Sequence, residues 1–294
     1  MLYLVALLVD GALAGAVYAL IALAFVVVYK ASRVVNFALG EWVMLAAALV
    51  AAGIHALGLG LGGALISAGA VMAALGLAFN RVVLDHLVGR SLISLIMVTL
   101  GLGAFLRGAA AIALKDVPRR IPLPIPGEPL ALHGLAIATD KVVAAAIALV
   151  VIALVTWFFR ASRAGVAFRA IADDQQIAMA MGIDLHRYFA LTWAVVGVIA
   201  VIGGTLWTVV GGGGFGVVLL GLKVFPIVII GGLDSIPGTI AGAVLVGVLE
   251  SLAAGYVDPW LGGGFSTVAA YLVLIAMLYA RPFGLFGRVD VVRV

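Results

Sequence analysis

The sequence predicts an all-α, polytopic integral membrane protein of about nine transmembrane helices, with its N-terminus outside and its C-terminus cytoplasmic. Three observations carry that expectation. Hydrophobic residues make up 66% of the 294-residue chain and charged residues only 10%, and mean hydropathy is +1.32, whereas a soluble domain carries roughly 25% charge. Cut at its polar breaks, the chain falls into apolar runs of about the 20 residues that a helix needs to cross hydrocarbon. The cations gather on one side of those runs, as the positive-inside rule requires.

The runs lie near 8–29, 36–54, 61–80, 91–113, 140–159, 189–210, 217–231, 239–256 and 265–280. No basic stretch precedes the first, and the first cation, Lys30, follows a stretch too long for a signal-peptide core, so an uncleaved span is expected. With the N-terminus outside, Lys30, Arg33, Arg81, Arg90, Arg160, Arg163, Arg169, Arg187, Arg281, Arg288 and Arg293 fall inside. Lys115, Arg119, Arg120 and Lys141 fall outside, and Arg107 and Lys223 fall within spans. The net charge of +4 therefore orients the chain and implies no nucleic-acid partner. The 38 glycines suit helix packing in lipid, where small residues let backbones approach, and Gly11/Gly15, Gly58/Gly62 and Gly238/Gly242 are candidate pairs. The run at 217–231 is short enough to be a broken or re-entrant element. Nine spans accommodate an inverted repeat of spans 1–4 on spans 6–9 with span 5 as connector, which would put a path near the midplane.

A single transmembrane domain is expected to fill residues 1–294, with two long connections. The outer one, 115–139, carries Pro118, Pro122, Pro124, Pro126 and Pro129, which forbid a continuing helix and favour an extended loop. The glycine run Gly211–Gly214, followed by Phe215 and Gly216, reads as an outer turn. Gly231-Gly232-Leu-Asp234-Ser235-Ile-Pro237-Gly238 reads as a tight inner hairpin, in which Asp234 or Ser235 caps the next helix and Pro237 takes a first helical position.

The cytoplasmic connection, 160–188, is a charged island in an otherwise lipid-soluble chain. Arg169 to Ile183 reads as one short helix ending at Gly182. At about 100° per residue, Arg169, Asp173 and Gln176 share one face and Ile171, Ala178 and Met181 lie roughly opposite. Such a helix lies on the protein and is either offered to a soluble partner or merely joins two spans. The inner hairpin would contribute to the same docking surface.

Charges at membrane depth cost about 3 kcal/mol each on insertion scales and are therefore informative. Asn36, Glu41, Arg107, Lys223 and Glu250 are the polar candidates, and Asn36, Phe37, Glu41, Lys223 and Glu250 are taken as the path residues. Glu41 either reaches a water-filled path or caps a neighbouring helix N-terminus. Lys223 and Glu250 are expected to snorkel to an interface, a pair between them being the alternative.

Absences narrow the function. The chain has no cysteine, no Gly-x-x-x-x-Gly-Lys-Ser/Thr loop and no Gly-x-Ser-x-Gly elbow, and His55, His86, His133 and His186 are scattered without metal-ligand spacing. The expectation is a protein that moves a solute and has no catalytic residue, metal or cofactor of its own. An ion-coupled secondary transporter using Glu41 or Glu250 is the alternative class.

Three motifs, in order along nearly the whole chain, resemble those of the branched-chain amino acid ABC transporter permeases. They are Asn36-Phe-Ala-x-Gly-Glu41; Arg169-Ala-x-Ala-x-Asp174 leading to Ala178 and Gly182-Ile183; and Gly231-Gly232-x-x-Ser235-Ile-Pro237-Gly238 with Glu250 downstream. Leu39 stands where that family often has His, and Asp234 where it has Gly. The resemblance implies a type II importer fold in the bacterial inner membrane, carrying branched-chain amino acids or related amides, urea or aromatic acids. It implies a second homologous permease, as a heterodimer, two cytoplasmic ATPases that hold ATP and Mg, and a periplasmic substrate-binding protein. The island would then be a coupling helix, with Arg169, Asp173, Asp174, Gln175, Gln176, Met179, Gly182 and Ile183 facing the ATPase.

Overall fold

A computed structural model describes the chain except residues 88–90, 126–127, 133–134, 215, 282–283 and 288–294. Arg90, Arg288 and Arg293 of the cation set, and Pro126, His133 and Phe215, lie outside the described residues. The fold is that of an all-α polytopic membrane protein. Its helices are α1 (Leu2–Ser32), α2 (Leu39–His55), α3 (Leu61–Val82), α4 (Leu92–Ala113), α5 (Thr139–Ala161), α6 (Arg163–Asp173), α7 (Gln175–Ala180), α8 (Leu185–Gly211), α9 (Gly216–Gly231), α10 (Ile236–Leu252), α11 (Asp258–Leu261) and α12 (Phe265–Ala280).

Each predicted apolar run falls on a helix. Leu2–Ser32, Leu61–His86, Ile93–Ala113, Thr139–Ala161, Leu185–Gly211 and Ile236–Leu261 are long and apolar enough to cross a membrane, while Leu39–His55, Gly216–Gly231 and Phe265–Ala280 are shorter. α10 continues through a π-helical turn, Ala253–Val257, into α11. The short run at 217–231 is one helix, α9, with Pro226 inside it.

Within the 115–139 connection β1 (Leu130–Leu132) pairs antiparallel with β2 (Leu135–Ile137), Ala131 opposite Ala136. Two expectations need correction. The island forms two helices rather than one, because Asp174 leaves the helical region at φ −155°, ψ 116°. Among the described residues nothing lies within 4 Å of a Cβ placed on Gly58 or Gly62, in contrast to the other two glycine pairs.

The described chain divides into two compact units. One comprises residues 1–26, 125–149 and 223–294. Its backbones meet where side chains are absent: a Cβ on Gly11 would stand 2.6 Å from the Gly247 carbonyl oxygen, and one on Gly15 2.8 Å from the Val244 Cα. Gly247 in turn abuts Gly11 and Gly15, so α1 and α10 cross at van der Waals range of their main chains. Gly247→Val forces those backbones apart. It is expected to cost about 1–3 kcal/mol or more, read as a lower unfolding midpoint in detergent, while Gly62→Val is expected to match wild type.

The other unit comprises residues 27–124 and 150–222. α3 packs along α8, and α2 lies on both and on α4. Gly76 and Gly197 bring α3 and α8 together, each facing a main-chain carbonyl of the other helix, that of Trp193 or Met72. The buried Trp193 ring meets Trp42 edge-on at 5.7 Å and Phe79 at 4.9 Å, a centre that bulky aromatics fill with favourable edge geometry.

Candidate functional site

The island is built as a platform. Ser162 Oγ accepts from Gly165 N–H at 2.9 Å and starts α6. Phe168, Ile171, Ala178, Leu185 and Phe189 are buried together with Ala31 of α1, and Phe159, Ile183 and Tyr188 pack around them. Asp174 then caps α7, its Oδ1 accepting from Gln176 N–H at 2.7 Å and Ile177 N–H at 3.0 Å. Gly182 ends the unit in the left-handed region, φ 83°, which turns Ile183 back onto the cluster. Arg33 Nη2 donates to the Ala172 carbonyl at 3.0 Å, and Arg169 donates to that of Phe159, so both cations fasten main chain.

This construction changes which island residues face outward. Ile171 and Ala178 are buried as the helical pattern predicts, but Met181 is 78% exposed, because the break at Asp174 resets the phase of the helix. Ile177 and Met179 are 64% and 52% exposed beside it. Asp173 and Gln176 are exposed and Gln175 is half-buried. Three apolar side chains thus stand outward on α7 and its C-cap, flanked by polar residues.

In the same unit the chain leaves α1 at Ser32 and enters α2 through a short irregular stretch that is mostly buried. Asn36 Oδ1 accepts from Ala38 N–H at 3.0 Å, while Thr99 Oγ1 of α4 accepts from Phe37 N–H at 3.3 Å. Glu41, 5% exposed in the first turn of α2, is ion-paired with Arg107 of α4, whose side chain is 52% exposed. Gly103 faces the same carboxylate. Glu41 therefore meets a guanidinium and not a neighbouring helix terminus, which corrects one of the two roles expected for it. Arg107 is legible in the sequence as an intramembrane charge, but a separation of 66 residues gives no spacing signal that pairs it with Glu41.

The other unit holds its own intramembrane pair. Lys223 Nζ lies 3.1 Å from Glu250 Oε1 and donates to Oε2 at 3.2 Å, and Tyr18 OH donates to Oε2 at 2.7 Å. The expected snorkelling of Lys223 and Glu250 is overturned: Glu250 is 8% exposed, and a buried carboxylate is retained where a cation and a hydroxyl answer it. The 231–238 hairpin also forms as expected. Ser235 Oγ accepts from Gly238 N–H at 3.1 Å, Pro237 sits at the start of α10, and the main chains of Gly231 and Gly238 touch. The turn at Leu285 and Phe286 donates to the Ile230 and Gly231 carbonyls at 2.8 and 3.1 Å, covering Gly231 and Gly232, while Asp234 is half-buried. Among the described residues, no group of three His, Asp or Glu side chains lies together as metal ligands.

Comparison with known proteins gives one consistent outcome. A family model described as branched-chain amino acid transport system / permease component matches residues 7–281. The high-affinity branched-chain amino acid transport system permease protein BraD of Pseudomonas aeruginosa is 30% identical over 304 residues, 98% of this chain and 97% of that protein. The permease protein LivH of Escherichia coli is 29% identical over 313 residues, 100% of this chain and 98% of that protein. A probable branched-chain amino acid transport permease of Methanocaldococcus jannaschii is 31% identical over 130 residues, 42% of this chain and 40% of that protein. No solved structure matches this chain.

Proposed function

The chain belongs to the branched-chain amino acid transport permease family, and from that premise we propose that it is the membrane subunit of an ATP-driven importer for branched-chain amino acids. In this reading residues 1–294 form one permease domain of nine spans in the bacterial inner membrane, N-terminus outside. It pairs with a second, homologous permease, receives its solute from a periplasmic binding protein, and is driven by two cytoplasmic ATPases that hold the ATP and Mg. The permease itself does no chemistry.

The observation that carries this reading is the outward trio of Ile177 and Met179 on α7 and Met181 at its C-cap, held by a buried cluster beneath. An exposed apolar trio costs solubility unless something covers it, and the polar run around it marks the partner as a soluble protein rather than lipid. Affinity purification in mild detergent is expected to bring along ATPase and second-permease subunits. The reconstituted complex is expected to take up labelled leucine with ATP hydrolysis and without response to a proton ionophore. Uptake that follows the proton gradient and ignores ATP would overturn the proposal in favour of a secondary transporter.

Orientation is tested on the same trio. Met181→Cys, at a 78% exposed position, is expected to react with an impermeant thiol reagent only from the cytoplasmic side. Labelling from outside in intact cells reverses the topology.

A further inference from the structure

The residue that follows α1 is an arginine in a conformation that favours glycine. Arg33 has φ 56°, the only positive φ on a non-glycine residue among those described. Its N–H donates to the Tyr29 carbonyl at 2.8 Å, so it ends α1 as a left-handed residue ends many helices, a place glycine ordinarily takes because a Cβ is crowded there. A strained backbone is kept where the side chain supplies something that glycine cannot. Here the side chain reaches from α1 to α6: the guanidinium lies over the Tyr29 ring at 5.7 Å, and Nη2 donates to the Ala172 carbonyl at 3.0 Å.

That carbonyl has lost its helical donor. In an unbroken helix it would accept from Gln176 N–H, but the Asp174 carboxylate takes that amide at 2.7 Å and the Ile177 amide with it. Arg33 replaces the lost donor, and a cation at the carbonyl end of α6 also meets the negative end of the helix dipole. On its other side Arg33 opens a stretch with little slack. Only residues 34–38 separate it from α2, Val34, Asn36 and Ala38 among them are buried, and Phe37 N–H is held by Thr99 Oγ1 of α4. The Glu41–Arg107 ion pair follows in the first turn of α2. Beside Arg33 a hollow of about 950 Å³ of atom-free space, partly open to solvent, is lined by Ser32, Leu87, Leu95, Asp173 and Phe189, so the end of α6 has room to shift. All of these residues belong to the unit of 27–124 and 150–222.

We propose that Arg33 is the positioning residue that passes movement of the α6–α7 platform to the buried 34–38 stretch, and through it to α2 and the Glu41–Arg107 pair. It rests on the permease reading, which supplies the ATPases that move the platform. A close-packed stretch transmits a displacement rather than absorbing it, and the link that joins this one to the end of α6 is a single side chain. Ala31 of α1 also packs in the island cluster. An apolar contact is non-directional and can slide, whereas a hydrogen bond to one carbonyl fixes the register of α6 against the chain leaving α1.

The test uses the reconstituted complex of both permeases, ATPases and binding protein with L-leucine, and reads ATPase co-purification, the unfolding midpoint in detergent, and leucine imported per ATP hydrolysed. Backbone and side chain make opposite demands at this position, so stability and coupling are expected to rank the variants differently. Arg33→Gly and Arg33→Asn accept the left-handed backbone and lose the reach to Ala172. Both are expected to keep ATPase association and a midpoint close to that of wild type, while leucine per ATP falls at least about fivefold. Arg33→Lys keeps reach and charge on a strained backbone, and is expected to retain roughly half of the wild-type ratio with no gain in midpoint. Arg33→Gly with the wild-type ratio overturns the role and leaves the importer standing. A ratio that falls only in step with ATPase association or with the midpoint also overturns it, since Arg33 would then merely hold the docking surface together. A wild-type complex that imports leucine without hydrolysing ATP removes the importer reading and this role together, before any variant is compared.

Discussion

Arg107→Leu is expected to destabilise the permease by about 3–5 kcal/mol, because it leaves the Glu41 carboxylate buried without its partner. At roughly 2–4 °C per kcal/mol for a chain of this size, the unfolding midpoint in detergent falls by about 10 °C. The reverse change is milder. Glu41→Gln leaves behind a guanidinium on a half-exposed side chain, which solvent and interface can still reach, and the amide keeps a hydrogen-bond acceptor near it; a loss of about 1 kcal/mol is expected. The asymmetry follows from which partner is buried, not from the strength of the bond. Arg107→Leu combined with Glu41→Met removes both charges and is expected to recover most of the lost stability, since an apolar pair of similar volume often matches a buried ion pair. Equal losses for Arg107→Leu and Glu41→Gln, or no recovery in the double variant, would contradict it. Uptake per folded complex supplies a second readout: a purely structural pair leaves it at the wild-type rate in Glu41→Gln, whereas a pair on the solute path changes the rate or the solute range.

What the sequence makes legible here is whatever a local rule governs. Among the described residues each apolar run lies on an apolar helix, because length and hydropathy act on each segment alone. The Ser235 cap and the start of α10 at Pro237 were readable for the same reason. Asp174 was misread within the island. It is flanked by helix-forming residues, and its competing role, an N-cap whose carboxylate takes the Gln176 and Ile177 amides, becomes visible only when the chain after it must turn to bury Ala178. The Glu41–Arg107 pair was out of reach for another reason, and Lys223–Glu250 stood only as the alternative to snorkelling. Both pairs join helices by tertiary packing, and periodicity carries no information on which helix lies beside which. Ala47, Ala48 and Ala51 of α2 and Ala110 and Ala111 of α4, which line a hollow between the two helices, look in sequence like any other small-residue helix faces. That they leave space, rather than close it as Gly11, Gly15 and Gly247 do, depends on the spacing that the surrounding helices hold.

The other large effect concerns α7. Ile177→Asp and Met179→Asp together are expected to abolish ATPase association, and with it at least nine-tenths of leucine uptake, while changing the stability of the permease by no more than about 0.5 kcal/mol. The small stability cost follows from exposure, since both side chains already stand in solvent and neither belongs to the buried cluster below. The large functional cost follows from desolvation: a carboxylate pressed into an apolar partner surface loses its water and gains no counter-charge there. Phe168→Ala gives the complementary result. It empties the middle of the cluster that fixes α6 and α7, where the Phe159 ring meets the Phe168 ring at a tilt at 5.1 Å and the Tyr188 ring meets it edge-on at 5.2 Å, and is expected to cost about 3–5 kcal/mol. Its effect on coupling then comes through a loosened platform, so the ATPase binds weakly but lowering the temperature restores part of the association. No such recovery is expected for the aspartate pair, whose platform is intact and whose contact is wrong. Full ATPase binding and full uptake by the folded Ile177→Asp, Met179→Asp variant would show that α7 is a connector and that the partner docks elsewhere.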